Sequence, residues 1–144
     1  MKFIKPILLI FSALSLGACS ADMIQNSKIE NKAVELSQIQ QQWILVSVDK
    51  QLIPANIRSK LTISAGAKAT GTLGCNHFFG AIKLQNNKFK IDKIASTRKM
   101  CTGQGNEIEM IVSTVLGNWS ELLVNTDKLT LIGQIHRLEY KITP

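Results

Sequence analysis

The stretch that decides the fold is GTLGCNHFFG, residues 71–80. It holds three glycines, one cysteine and two adjacent phenylalanines. Because glycine allows sharp turns and close backbone approach, this composition predicts a tight connection between two strands. Asn76 carries a side-chain amide that can hydrogen-bond the backbone of its own turn. An extended chain sends Phe78 and Phe79 to opposite faces, so we expect one ring to enter the core.

The segments around this turn alternate in the manner of antiparallel strands. Residues 80–85 and 88–92 place apolar side chains on one face and lysines on the other, and Asn86–Asn87 between them tolerate the positive φ of a hairpin turn. Residues 61–64 and 68–74 indicate a second hairpin. The remaining strands are predicted near residues 43–48, 121–125, 128–133 and 135–142.

One helix is predicted at about residues 105–119. Its apolar residues recur at the spacing of a single helical stripe: Ile108, Ile111, Val112, Val115 and Leu116. Glu107 and Glu109 near its start suit the positive end of the helix dipole. The fold class that follows is α+β, mainly antiparallel β, with about seven or eight short strands curled into a sheet or cracked barrel around one amphipathic helix.

The amino-terminal residues predict membrane attachment. Two lysines precede the short apolar run Ile7–Leu16, a pattern typical of an export signal rather than of a spanning helix. Leu16-Gly17-Ala18-Cys19 then resembles a bacterial lipobox, in which signal peptidase cuts before the cysteine and the sulfur receives a diacylglycerol. We therefore expect a signal peptide at residues 1–18 and lipidation at Cys19. The alternative is a secretory signal followed by a chance cysteine.

The predicted organisation has two further parts. Residues 19–39 are expected to be the lipidated cysteine and a flexible tether, and residues 40–144 the folded domain. An amino-terminal acyl chain such as palmitate would make the anchor effectively permanent. Ser20 after the cysteine resembles the outer-membrane sorting pattern of enteric bacteria. The expected location is the bacterial cell envelope, with the domain facing the periplasm from the outer membrane.

The charge of the chain is mildly basic. Loss of residues 1–18 removes two lysines and lowers the formal net charge from +7 to +5. Such a charge favours contact with anionic lipid or glycan surfaces, although a basic surface without any partner is the simpler interpretation. It is not the concentrated basic charge that is typical of nucleic-acid binding, so no nucleic-acid partner is expected.

Cysteine usage predicts one disulfide. Of the three cysteines, Cys19 would be used by the lipid anchor, which leaves Cys75 and Cys101 in an oxidising compartment. Two buried free thiols are one alternative. A metal site that adds His77 is the other, but two sulfurs and one imidazole fall short of the four ligands of structural zinc. No metal or other cofactor is expected.

Two sequence blocks carry a family resemblance. The first is Gly74-Cys75-Asn76 with Phe79-Gly80, and the second is Ala95-Ser96-Thr97 with Met100-Cys101. Together they resemble the META domain, the family that includes the HslJ-like bacterial lipoproteins. The likeness spans about residues 40–142 and extends to Trp43, Glu107 and Leu129–Leu131. His77 and Lys99 fall within the blocks at positions to which we assign no family role.

The resemblance implies a sheet or cracked barrel packed on a helix. We interpret the motif residues as architectural: Gly74, Asn76, Phe79, Gly80, Ser96, Thr97 and Met100. The alternative is that the motif also lines a binding site. The hydroxyls and cations of residues 96–99 could hold a phosphate, but a solvated connection before the helix is the simpler interpretation.

The sequence offers no catalytic constellation. It contains no nucleophile-elbow, zinc-protease or phosphate-loop motif, and His136 is most simply a surface residue of a strand. We therefore expect no enzyme activity. The first functional hypothesis is an envelope interaction protein that acts during stress, which the HslJ-like resemblance implies. The alternative is a carrier or sensor that holds a hydrophobic small molecule between sheet and helix.

Overall fold

The computed structural model describes residues 32–142, so the predicted signal peptide and Cys19 lie outside the described residues. In chain order the elements are the 3₁₀ turn Leu36–Gln38, β1 (Gln42–Val48), β2 (Gln51–Leu52), β3 (Lys60–Ser64), β4 (Lys68–Thr72), β5 (His77–Gln85), β6 (Lys88–Ser96), α1 (Gln104–Gly117), β7 (Ser120–Val124), β8 (Lys128–Ile132) and β9 (Arg137–Ile142).

The strands form one antiparallel sheet that curls into a ring. Its order is β2-β1-β3-β4-β5-β6-β7-β8-β9, and β1 also pairs with β9, from Trp43 opposite Ile142 to Val48 opposite Leu138. The predicted class is confirmed in its main features, an antiparallel sheet with one helix. The described residues hold nine strands rather than seven or eight, because β2 is too short to show an alternating pattern.

The ring is not a regular barrel, because the pairing between two of its neighbouring strands is short. Strands β6 and β7 are joined only where Lys88 lies opposite Glu121 and Phe89 opposite Ser120. Helix α1, which connects the two strands, packs against the rest of β6. The helix thus covers the part of the ring that backbone pairing leaves open.

The ring encloses a core of large side chains. Alternate residues along the strands point inward, and the fully buried ones are Trp43, Leu45, Leu61, Phe89, Ile91, Leu122, Leu129, Leu131, Leu138 and Tyr140. Burial of each such side chain contributes about 1.5–3 kcal/mol. The indole Nε1 of Trp43 donates to the carbonyl oxygen of Ile39 over 2.9 Å, so its polar atom is satisfied inside the core. The interior is therefore filled by the protein's own side chains.

The helix agrees with its sequence pattern. It begins at Gln104 and ends at Gly117, close to the predicted bounds. Val112, Val115 and Leu116 of the stripe are buried, and the first two isoleucines of the stripe pack against the core at its edge. Within residues 32–142, no helix has the length and apolar character needed to cross a membrane.

The β5–β6 hairpin is confirmed in register and turn. Asn86 and Asn87 both have positive φ, 49° and 57°, as a two-residue hairpin turn requires. Ile82, Phe89 and Ile91 are buried on the inner face, and the lysines lie on the outer face. We call the end of the ring at Asn86–Asn87 the hairpin tip.

The chain enters the domain at the hairpin tip. The backbone amide of Val34 donates to the side-chain oxygen Oδ1 of Asn87 over 2.7 Å. Val34 and Leu36 pack against the core, and Ile39 is fully buried within it. The described chain before β1 is thus held against the ring beside this turn.

Candidate functional site: the signature cluster

The two signature blocks meet at the end of the β5–β6 hairpin opposite to its tip. The first block covers the turn between β4 and β5 and the start of β5, and the second block covers the end of β6 and the segment that leads from it to α1. A disulfide joins Cys75 to Cys101, with 6.3 Å between their Cα atoms, so the predicted pairing is confirmed. Closing a loop of 26 residues restricts the unfolded chain, which the loop-entropy model values at about 3–4 kcal/mol.

Asn76 is the centre of a hydrogen-bond network between the blocks. Its side chain is buried, and its Oδ1 accepts from the backbone amide of Lys99 over 2.7 Å and from the hydroxyl of Thr97 over 2.8 Å. Its Nδ2 donates to Oε1 of Glu109 over 2.7 Å. We expected Asn76 to bond its own turn, and it instead bridges to the second block and to the helix.

Glu109 connects this turn to helix α1. Its Oε2 accepts from the backbone amides of Asn76 and Cys75, over 2.7 Å and 3.2 Å. The carboxylate thus satisfies two amide donors of the turn, and charge-assisted bonds of this kind are stronger than neutral ones. From the sequence, Glu109 was expected only to interact with the helix dipole. Its position beside the apolar stripe could have indicated the contact. A carboxylate there faces the same part of the domain as the stripe does.

Thr97 closes the cluster on its other side. Its hydroxyl oxygen accepts from the backbone amide of His77 over 3.1 Å, and its own amide donates to the carbonyl oxygen of His77 over 3.0 Å. His77 therefore takes part through its backbone, while its side chain is exposed. We define the signature cluster as Cys75, Asn76, Thr97, Cys101 and Glu109.

Two glycines of the motif allow close packing around the cluster. A Cβ on Gly74 would lie 2.8 Å from the carbonyl oxygen of Gly105, which is the approach of the turn to the start of α1. A Cβ on Gly80 would collide with Cγ2 of Ile91 and lie 3.1 Å from the carbonyl oxygen of Asp92. Both positions therefore require glycine because of their neighbours.

The remaining motif residues face solvent. Phe78 is the ring that enters the core, whereas the neighbouring Phe79 is 62% exposed on the outer face of β5. Met100 is fully exposed, and Ser96 is exposed at the end of β6. The signature thus divides into residues that hold the turn together and residues that stay on the surface.

The chemistry available at the cluster is limited. Glu109 is engaged by three N–H donors. Sulfur atoms of Cys75 and Cys101 lie with a carboxylate oxygen of Glu109 within 4.8 Å of one another, which resembles a three-ligand metal site. Metal binding by cysteine requires the thiolate, and these two sulfurs are bonded to each other. The oxidised cluster is therefore suited to structure rather than to ligation or catalysis.

Two carboxylates elsewhere on the ring are held in their charged form. His136, which precedes β9 rather than lying within it, places Nδ1 2.8 Å from Asp49. This hydrogen bond and a second one from the backbone amide of Arg137 lower the pKa of Asp49. Lys128 at 3.1 Å is the main cause of the lowered pKa of Glu139, which Arg137 also contacts at 2.9 Å. These pairs connect β8, β9 and the turn after β1.

One groove lies across the outer face of β3, β4 and β5. It encloses about 570 Å³, and its lining includes Arg58, Lys60, His77 and Phe79. A second groove of about 290 Å³ lies between the segment around Ile53 and helix α1. Both grooves lie at the surface, outside the side chains that fill the ring.

Fold and cluster together define a class of protein: an α+β domain in which one helix completes a nearly closed antiparallel ring. A disulfide joins a turn of the ring to the segment before the helix, and a buried asparagine hydrogen-bonds the helix itself. The family model of the META domain matches residues 34–142. The chain therefore belongs to the META domain family.

Comparison with other proteins agrees on the fold. An NMR structure of a protein 27% identical to this chain superimposes with a TM-score of 0.67, covering 76% of this chain and 95% of its own. The NMR structure of a protein from Burkholderia xenovorans is 16% identical, with a TM-score of 0.61 over 96% and 98% of the two chains, and shows the fold alone. No curated protein matches the sequence significantly.

Proposed function

We propose that this META-domain protein is a non-enzymatic lipoprotein of the bacterial envelope, an HslJ-like accessory protein that binds another envelope protein. The observation that carries the proposal is the divided signature. Its buried residues are used to hold the turn, and its exposed residues Phe79 and Met100 lie on the surface beside that turn. An apolar side chain on a rigid frame is the kind of group that anchors a protein interface.

The groove beside Phe79 supports a protein partner. Its aromatic ring lies among the polar and basic side chains of Arg58, Lys60 and His77. An apolar centre with a polar rim is the usual arrangement of a protein interface, and arginine is enriched there. The partner we infer is an envelope protein that presents an apolar side chain within an acidic surrounding.

The proposed anchor rests on the sequence. The lipobox Leu16-Gly17-Ala18-Cys19 supplies the thiol that receives diacylglycerol, and the serine after it favours the outer membrane. Anchoring would place the domain in the periplasm, where a disulfide such as Cys75–Cys101 is stable. A lipid anchor also raises the local concentration of the domain near envelope partners.

The second candidate, a carrier of a hydrophobic small molecule, is favoured by one observation. The groove between the segment around Ile53 and α1 exposes parts of Ile108 and Ile111. Its volume of about 290 Å³ is at the low end for a small-molecule site, and its lining also includes polar groups such as Glu107. The filled interior of the ring argues against a ligand held between sheet and helix.

Mass spectrometry tests the anchor and separates the two candidates. The intact protein extracted from membranes is expected to begin at Cys19 and to carry the mass of a diacylglycerol and an acyl chain. The exported Cys19→Ser protein, purified without detergent, is expected to show its own mass alone under native conditions. A bound small molecule that leaves on activation would instead establish the carrier. An unmodified Cys19 would refute the anchor.

A further inference from the structure

The outer face of the β5–β6 hairpin carries a concentrated positive charge. Lys83 on β5 lies directly opposite Lys90 on β6, and Lys88 follows one step closer to the tip. Like charges in a cross-strand pair destabilise a sheet. The acids on this face are Asp92, 3.9 Å from Lys90, and Glu121 opposite Lys88. In the described part of the chain, no ion pair is formed by Lys83 or Lys88.

A partly exposed tryptophan lies beside one of these lysines, Lys88. Trp119 follows the end of α1, is 43% exposed, and lines a shallow groove of about 320 Å³ with Gln85, Asn86 and Lys88. Tryptophan prefers the boundary between water and lipid, because its ring is apolar and its N–H needs a polar partner. We define the tip patch as Lys83, Lys88, Lys90 and Trp119.

The described chain joins the domain at the tip patch. The amide of Val34 bonds Asn87 at the tip, so the chain that comes from Cys19 joins the domain at this end. The 13 residues from Cys19 to Asn31 reach at most about 45 Å. The signature cluster and Phe79 lie at the opposite end of the same hairpin.

We propose that the tip patch docks on the anionic phospholipid headgroups of the membrane that holds the anchor. This inference rests on the proposed lipid anchor, which supplies the membrane surface. The lysines attract the anionic headgroups, and Trp119 inserts at the headgroup level. Docking at this end turns the signature end of the hairpin away from the membrane. The exposed residues of the signature are then free for a partner in the periplasm.

Vesicle binding by the mature chain, residues 19–144 with Cys19→Ser, tests the docking without the anchor and without the predicted signal peptide. The vesicles contain equal parts of phosphatidylethanolamine and phosphatidylglycerol with brominated acyl chains, which quench nearby tryptophan. Of the two tryptophans, Trp43 is fully buried, so quenching reports Trp119. We expect quenching of Trp119, weaker binding at high salt because the charges are screened, and little binding to phosphatidylcholine vesicles.

Charge variants distinguish the effect of the tip patch on vesicle binding from the effect of the net charge of the protein. The triple variant Lys83→Gln, Lys88→Gln and Lys90→Gln is expected to bind roughly a hundredfold more weakly, at about fivefold for each lysine near the surface. The matched control removes the same charge elsewhere, by Lys50→Gln, Arg58→Gln and Lys60→Gln, and is expected to retain most of the affinity. Circular dichroism checks that both variants are folded.

Several outcomes would overturn the docking. They are equal loss of affinity in the two triple variants, equal binding to neutral vesicles, and binding without quenching of Trp119. A photo-cross-linker placed at Gln85 in cells that gave protein adducts instead of lipid adducts would do the same. The anchor is judged separately by the mass of wild-type Cys19: a lipid there without quenching refutes docking alone, and quenching without that lipid refutes the anchor alone.

Discussion

At the scale of single residues, Asn76 has the clearest physical role. Its side chain uses both its oxygen and its nitrogen, and it connects three segments that are far apart in sequence. An aspartate of the same shape would place negative charge against Glu109, and an alanine would leave the donors and acceptors without partners. Position 76 therefore requires an amide side chain, because its contacts need both a hydrogen-bond donor and an uncharged acceptor.

The first prediction concerns this residue. Asn76→Ala leaves the amide of Lys99 and the carboxylate of Glu109 short of a partner, so the free energy of unfolding should fall by about 2–4 kcal/mol. Urea unfolding of the oxidised protein measures the change. Asn106→Ala, which changes an exposed asparagine in the first turn of α1, is the control, with an expected change within about 0.5 kcal/mol. Equal effects of the two variants would contradict the account.

The motif could be recognised from the sequence, but most contacts made by its residues could not be predicted from it. The disulfide could be predicted because three cysteines and an export signal leave one pair. The partners of Asn76 could not, because Lys99 and Glu109 are 23 and 33 residues away and no local pattern brings them together. The two phenylalanines were predicted to divide between core and solvent, and only the structure shows that Phe78 is the buried one.

At the scale of elements, the β5–β6 hairpin organises the molecule. One end holds the signature cluster and the other holds the tip turn, the entering chain and Trp119. The turn depends on two asparagines in the left-handed region, Asn86 and Asn87. They differ in one respect, since only Asn87 also accepts the amide of Val34.

The second prediction uses that difference. Asn86→Ala and Asn87→Ala each place a Cβ-bearing residue without a helpful side chain at positive φ, at a cost of about 1 kcal/mol. Asn87→Ala also loses the bond to Val34 and should be less stable than Asn86→Ala by about 1 kcal/mol. Thermal and urea unfolding measure both. Equal stabilities would mean that the entering chain is not held by this bond.

At the scale of elements, the sequence predicted the helix and the strands whose alternation of apolar and polar residues extends over several residues. The helix has an unbroken apolar pattern, so its bounds agree with the structure. The hairpin turn was also predicted, but β5 begins three residues before the predicted residues 80–85 and β6 ends four residues after the predicted residues 88–92. Strand β2 has two residues and no pattern to detect, and it forms because the turn after Val48 returns the chain onto the edge of β1. Closure of β1 onto β9 is a contact between the two ends of the domain, which local patterns do not specify.

At the scale of the whole molecule, closure of the ring makes distant carboxylates contribute to stability. Asp49 follows β1 and Glu139 lies on β9, and their hydrogen-bond partners come from the segments around β8 and β9. Hydrogen bonds from His136 and Lys128 lower their pKa values below the ordinary 3.8 and 4.5. A lowered folded-state pKa adds stability that is present above the unfolded value and is lost as pH falls through the folded value.

The third prediction follows from the downward direction of these two pKa shifts. The free energy of unfolding should be constant near neutral pH and should fall as the pH drops below about 4.5. The double variant Asp49→Asn with Glu139→Gln should be less stable at neutral pH and should lose less stability on acidification. Urea unfolding across the pH range measures this. A matched double variant of exposed acids, Glu121→Gln with Asp127→Asn, should keep the acid dependence; an unchanged slope in the first variant would contradict the prediction.

The measurement that tests the central claim most directly is site-specific photo-cross-linking in living cells at Phe79. The cross-linker at position 79 is compared with one at Leu123, an exposed apolar residue of β7. The account predicts one discrete protein adduct from position 79 and none from position 123, because the interface lies at the signature end of the hairpin. The same adducts from both positions, or none from position 79, would contradict the claim that this domain presents its signature surface to a protein partner.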